Sequence, residues 1–325
     1  MRALELRELT GPDGLVFTRE AREPEAVAGR LLIDVTVAGV TYPDLLITQG
    51  RYQSKPELPY VPGLEVSGVV RSAPADSGFH AGERVAAACM GGGYAETVTA
   101  EPSLALRLPD FVSDEAASGL VVNYQTMYFG LYRRAGLLPG ETVLVLGAAG
   151  GIGVAATQIA VAAGATVIAV CSGASKARLC AESGAGGVID MDEGGALSER
   201  VADITGGRGV DLVVDPVGGD GFVDAVRTLR PEGRILVVGF TGGVPTIGMN
   251  RLLLRNVAAV GVAWGAFLDG NPRAVDEVNA GIVALLEGRK ILPPVATVWP
   301  LSDGAAALRS LEARTVVGKA ALRVR

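Results

Sequence analysis

The sequence predicts an α/β protein in which a β-rich part accompanies a doubly wound, six-stranded parallel sheet. Between about residues 120 and 264, short apolar runs alternate regularly with helical stretches. A glycine-rich turn, Gly147-Ala-Ala-Gly150-Gly151-Ile-Gly153, joins one such run to one such helix. Before residue 120 that rhythm is missing, and short β-type runs stand between Gly/Pro turns.

At 325 residues the chain is long enough for two domains of ordinary size. Hydrophobic residues at 49% with 20% charged residues fit a soluble globular protein, and a net charge of −6 makes nucleic acid an unexpected partner. Cys89, Cys171 and Cys180 are an odd number in apolar or helical surroundings, which reads as reduced thiols in the cytoplasm. The N-terminus, Met1-Arg-Ala-Leu-Glu-Leu-Arg-Glu, is charged throughout and does not read as a signal peptide. No residue from Thr142 to Ser175 is charged, long enough to span a bilayer, but glycines at 147, 150, 151, 153 and 164 divide it into strand, helix and strand. A βαβ unit buried on both faces has this character, so no membrane span is expected.

In chain order, strands are expected at Leu31–Val37, at Val69-Val70, at Arg84–Ala88 and at Ala95–Thr99, and a helix starts near Ser113-Asp-Glu with acidic residues in its first turn. The alternating region supplies strands at 142–147 and 165–170, at Gly187–Asp190, Val210–Asp215 and Arg234–Gly239, and last at Ala258–Ala263. Helices between them start after the glycine turn, near Ser175, and at Ala196–Ile204, Phe222–Leu229 and Asn250–Arg255. The tail offers an amphipathic helix from Asn271 to Gly288, a strand at Val295–Trp299, a helix from Ser302 and a last strand at Gly318–Val324.

A strand feeding a helix through three glycines spaced by three places phosphates on a helix N-terminus. Glycine permits the tight turn, the approach of a pyrophosphate to the amides, and close packing of helix on strand. About twenty residues on, a site for NAD usually offers a carboxylate to the ribose hydroxyls. Here strand 165–170 ends in Cys171-Ser172-Gly173-Ala174-Ser175-Lys176-Ala177-Arg178, with no acid before Glu182. Small hydroxyls, cations and a helix start suit a 2′-phosphate, so NADPH is the expected cofactor.

The segments Ala38-Gly-Val-Thr-Tyr-Pro-Asp-Leu45, Gly50-Arg-Tyr52, Leu58-Pro-Tyr-Val-Pro-Gly63-Leu-Glu65-Val-Ser-Gly68, Gly82-Glu-Arg-Val85, Gly92-Gly-Tyr-Ala-Glu96, the glycine loop and Gly318-Lys319 together resemble the medium-chain dehydrogenase/reductase superfamily, in its zinc-free quinone oxidoreductase (zeta-crystallin-like) branch. The resemblance covers essentially the full length. It implies a GroES-like β-rich catalytic domain, residues 1–121 and 265–325, and a Rossmann NADPH-binding domain, residues 122–264, with the active site in the cleft between them. Where alcohol dehydrogenases of the superfamily place zinc ligands, this chain has Thr41 and Leu64-Glu65, and His80, its one histidine, sits in a turn. No metal is expected. Without a Lewis acid, reduction of a conjugated carbonyl is better served than alcohol oxidation. The resemblance implies Tyr42 and Tyr52 as catalytic cleft residues, with Asp44 organising their loop. It implies cofactor contacts at Thr41, Asn123 and Thr126; at Ala149, Gly150, Gly151 and Ile152; at Cys171, Ser172 and Lys176; at Val217, Gly239, Phe240 and Thr241; and at Val262, Ala263 and Lys319.

The activity expected is NADPH-dependent hydride transfer to a quinone or α,β-unsaturated carbonyl. A 2-enoyl thioester reductase for CoA or carrier-protein substrates is one alternative, and an NADPH-binding protein without turnover is another. The expected assembly is a homodimer through the sheet-edge strand Ala258–Ala263.

Overall fold

The computed structural model describes residues 1–53, 55–295 and 297–325. The chain divides into two compact units, Met1–Val122 with Pro293–Arg325, and Asn123–Leu292. Ala296, inside the strand expected at Val295–Trp299, lies outside the described residues; the strand found there is Thr297–Pro300.

In the first unit the described residues form a sheet in the order Thr297–Pro300, Ala320–Arg323, Leu31–Val40, Glu65–Ser72, Arg84–Ala88, Ala105–Arg107, with Thr97–Ala100 also pairing with Leu31–Val40. Pairing is antiparallel except between the first two strands. Alternation along Leu31–Val40 sends Leu31, Ile33 and Val35 into a core shared with Val66, Val85, Leu308 and Leu322. Ala3–Leu6 and Leu15–Thr18 pair as a second sheet, which is bridged to Ala95 and Tyr60 and adds Leu4 to the same core.

In the second unit six parallel strands lie in the order Gly187–Asp190, Thr166–Cys171, Thr142–Val145, Val210–Asp215, Leu229–Val237, Ala258–Gly261. Numbered along the chain this is 3-2-1-4-5-6, the Rossmann arrangement, and the order reverses between Thr142–Val145 and Val210–Asp215. All residues of these two central strands are buried, which accounts for the lack of charge along the first.

The helix Ala274–Glu287 belongs to the second unit, although the sequence reading places residues 265–325 in the first. Its apolar stripe Val275, Val278, Ile282 and Leu286 is buried. On the same helix Asn279 accepts a 2.7 Å hydrogen bond from Gln125, and Gly281 leaves room for the Tyr128 ring. An amphipathic pattern shows that a helix has a buried face, not which sheet covers it. Only residues 293–325 of the tail pack in the first unit.

Candidate functional site

The strand Thr142–Val145 leads into the glycine turn, and the helix Gly151–Ala162 leaves it. Gly147 has φ +55°, a left-handed conformation that other side chains resist. A β-carbon on Gly153 would stand 2.5 Å from Ala148 Cα and 2.6 Å from its carbonyl carbon, so the helix sits hard against the turn. Gly150 is different: a β-carbon there meets nothing nearer than the Gly147 oxygen at 3.4 Å, leaving its outer face open for a close approach to the backbone. Gly150 is also the helix N-cap, without a capping side-chain bond and without an acid in the first turn. The twelve-residue helix therefore keeps its positive end for an anion.

The neighbouring elements converge on this turn. The Asn123 amide lies against Gly151, its Nδ2 2.5 Å from where a β-carbon would sit, and Thr126 follows one turn later on the helix Val121–Tyr128. That helix is tied to the one after the glycine turn by a 2.8 Å bond from the Tyr124 hydroxyl to Gln158. Val217 reaches Gly147 from the other side of the order reversal, its Cγ2 3.2 Å from the β-carbon position. Buried Asp215 turns the chain there by accepting from the Val217 and Gly218 amides at 2.7 and 2.8 Å. Burial pushes its carboxyl up, and those two bonds pull the other way. The next loop is bonded to this one, Gly242 N–H to Val217 C=O at 2.7 Å, which brings Gly239, exposed Phe240 and Thr241 to the same end of the sheet. Val262 is buried and bonds back to Val237, while exposed Ala263 begins the helix Trp264–Gly270.

At the end of the second strand, Cys171 is buried, Ser172 is exposed and Lys176 is half-buried in the helix Ala174–Glu182, which also lacks a side-chain cap and a first-turn acid. The linear reading found no carboxylate in this segment, and in space there are two. Asp190, ending the third strand, accepts from the Gly173 amide at 2.8 Å and from the Asp192 amide at 3.1 Å. Asp192 Oδ2 lies 3.7 Å from where a β-carbon on Gly173 would stand. Backbone bonds from Gly173 and Asp192 hold the Asp190 carboxyl below its ordinary range. Adjacent parallel strands end side by side, so residues about twenty apart in sequence meet here.

The first unit carries the tyrosines. Thr41 caps the helix Tyr42–Thr48 in a reciprocal box: its hydroxyl accepts from the Asp44 amide, and Asp44 Oδ2 accepts from Thr41 N–H at 2.9 Å and Oγ1 at 2.6 Å. Asp44 Oδ1 accepts from Gly63 N–H at 3.1 Å, joining this turn to the 58–64 loop. Complete burial pushes the Asp44 carboxyl up, against the pull of these bonds. Tyr42 and Tyr52 are both half-buried. Burial, and after it the Asp44 charge, raise the Tyr52 hydroxyl above the ordinary tyrosine value.

Glu65, which the resemblance sets where alcohol dehydrogenases place a zinc ligand, is bonded by Lys319 in a buried ion pair and accepts from Val122 N–H at 3.0 Å. The structure thus gives Lys319 a carboxylate partner 254 positions away, which sequence reading did not supply. Among the described residues no group of three or more His, Cys, Asp or Glu is placed to hold a metal ion, and His80 is exposed. Cys89, Cys171 and Cys180 are free, buried thiols, and no helix among the described residues is long and apolar enough to cross a membrane.

Two known families match this chain: zinc-binding dehydrogenase over residues 151–280 and the alcohol dehydrogenase GroES-like domain over residues 27–110. Quinone oxidoreductase-like protein 2 of Bos taurus is 37% identical over 294 residues, which are 89% of this chain and 84% of that one. Among solved structures, a probable oxidoreductase from Mycobacterium abscessus aligns with TM-score 0.90 at 46% identity, covering 99% of this chain and 98% of the other. The quinone oxidoreductase of Thermus thermophilus, solved also in complex with NADPH, aligns with TM-score 0.86 at 33% identity, covering 99% and 100%.

Proposed function

The chain belongs to the medium-chain dehydrogenase/reductase superfamily, in its quinone oxidoreductase branch, and from that premise we propose that it is an NADPH-dependent reductase of quinones and related conjugated carbonyls that works without zinc. The observation that carries the reading is the uncapped helix start behind Gly147–Gly153 at the strand-order reversal, in a chain 33% identical over 99% of its length to a quinone oxidoreductase solved with NADPH.

The residues present fit the cofactor. The open face of Gly150 and the amides of Gly151 and Ile152 hold the pyrophosphate, with Ala149 completing the turn. Cys171 and Ser172 border the adenosine ribose, and Lys176 offers a cation to its 2′-phosphate. Asn123, Thr126 and Val217, with Gly239, Phe240, Thr241, Val262 and Ala263, border the dinucleotide at the carboxyl ends of the strands, where ligands bind in such sheets. Thr41 and Lys319 are assigned as further contacts. Bound there, NADPH supplies the hydride.

The protein's remaining task is to meet the charge that develops on the substrate oxygen. Tyr42 and Tyr52 are assigned as the hydrogen-bond donors for it, and the raised Tyr52 hydroxyl keeps its proton at neutral pH. Zinc independence is supported by the donor set: Thr41 is committed to Asp44, and Glu65 is committed to Lys319 and Val122.

The proposal extends to a cytoplasmic homodimer. The edge strand Ala258–Gly261 is largely exposed, and Leu253 and Leu254 beside it are 74% and 78% exposed, an apolar edge that a second copy would cover. Light scattering at micromolar concentration reads this part directly, and a monomer overturns it. The activity is tested by following NADPH consumption with quinones, α,β-unsaturated ketones and 2-enoyl thioesters, with cofactor binding established beforehand by fluorescence titration. Turnover of quinones or enones is expected. Bound cofactor with turnover of thioesters alone, or of nothing, refutes the assignment.

A further inference from the structure

The end of the second strand combines features of opposite sign. The helix Ala174–Glu182 directs an uncapped N-terminus there and Lys176 adds a cation, an arrangement favourable to a phosphate. Asp190 already takes the Gly173 amide and, through the Asp192 amide, fixes the short helical turn Met191–Glu193 against Gly173. That turn delivers the exposed Asp192 carboxylate to the same place, 3.7 Å from the β-carbon position of Gly173. The charges of Asp190, Lys176 and Asp192 are all felt at the Cys171 thiol, which marks the strand end they surround, though burial is what chiefly pushes that thiol up. The next carboxylate, Glu193, pairs with Arg200 at 2.7 Å, whereas Asp192 stands in no ion pair among the described residues.

In a dinucleotide-binding sheet, a carboxylate at this strand end accepts from the ribose hydroxyls of NAD, while a 2′-phosphate needs cations or amides. We infer that Asp192 sets the cofactor selectivity of the site, opposing the 2′-phosphate of NADPH and accepting from the 2′-hydroxyl of NADH, so that the protein binds both dinucleotides with only modest discrimination. The inference rests on the proposed NADPH site and names the residue that limits its preference. The signal was hidden in sequence because the acid arrives from the third strand, beyond the helix Ala174–Glu182, and not from the second.

The test is a fluorescence titration of the whole protein with NADPH and with NADH, in the natural sequence and in Asp192→Asn, with Glu193→Gln as a control that removes an ion-paired carboxylate one residue away. Asp192 is exposed, so its removal leaves folding intact. Removing one carboxylate near a phosphate is expected to raise the NADPH-to-NADH affinity ratio roughly three- to tenfold, with little change in Glu193→Gln. A ratio that stays within about twofold in Asp192→Asn, both dinucleotides still binding, overturns the role of Asp192 and leaves the cofactor site standing. Failure of the natural protein to bind either dinucleotide overturns both.

Discussion

Gly150 and Gly153 stand three residues apart in one turn, yet the structure assigns them different duties, and alanine at each separates these. At Gly150 the backbone, φ −89° and ψ 172°, suits any residue, and an added methyl touches only the Gly147 oxygen at 3.4 Å. Gly150→Ala is therefore expected to change stability by less than about 1 kcal/mol, the scale of an N-cap exchange. The same methyl occupies the open face to which we assign the pyrophosphate, and on that assignment a tenfold or greater loss of NADPH affinity, about 1.4 kcal/mol or more, should follow. At Gly153 the balance reverses. Alanine gains about 0.5–1 kcal/mol of helix propensity, but its methyl would lie 2.5 Å from Ala148 Cα, and overpacking against backbone costs about 1–3 kcal/mol. A net loss of about 1–2 kcal/mol, or roughly 2–8 °C in the unfolding midpoint, is expected. Thermal unfolding and NADPH titration of both variants decide the matter. Undiminished NADPH affinity in Gly150→Ala, or a Gly153→Ala protein as stable as the parent, would refute the division of roles.

Lys319→Met should destabilise the protein by about 3–5 kcal/mol in denaturant unfolding, because it strands the Glu65 charge in a buried site, while the double change Glu65→Leu with Lys319→Met recovers most of that loss; equal losses would show that the two are not a pair. Tyr52, with its hydroxyl raised by burial and by Asp44, stays protonated up to and beyond the ordinary value of about 10, so kcat should show no fall between about pH 7 and 9 attributable to its ionisation. A basic limb in that interval that Tyr52→Phe abolishes would contradict this. Asp44 has a carboxyl pKa above its unfolded value of about 3.9, so its contribution to stability is greatest below that pH and is lost as pH rises through the folded value. Asp44→Asn, which does not ionise, should gain relative to the parent as pH is raised from about 4 to 7 in denaturant unfolding, and a trend of opposite sign would refute it.

The second unit was legible because its information is local. Alternation of apolar runs located each strand of the parallel sheet, and three glycines at fixed spacing marked the turn that the structure then resolved into positive φ at Gly147, open space at Gly150 and close packing at Gly153. The β-rich unit was less legible, partly because glycine inside a strand resembles a break. The strand Glu65–Ser72 was foreseen only at Val69-Val70, since Gly68 interrupts the pattern; its hydrogen faces the backbone carbonyl of Asp34 on the neighbouring strand, where a β-carbon has no room. The remaining gaps are long-range. Nothing near Lys319 points to Glu65, nothing near Gly173 points to Asp190 and Asp192, and the stripe on Ala274–Glu287 does not name Tyr128 as its neighbour. Only the fold brings such groups together.

Zinc-free hydride transfer is tested most directly by turnover after metal removal. Protein stripped with a strong chelator, its metal content verified, would be mixed with NADPH and a simple quinone, and both NADPH loss and hydroquinone formation followed. Undiminished turnover with one hydroquinone formed per NADPH consumed is expected, since Thr41 and Glu65 are already engaged by Asp44 and Lys319. Loss of turnover on chelation that zinc alone restores would contradict it.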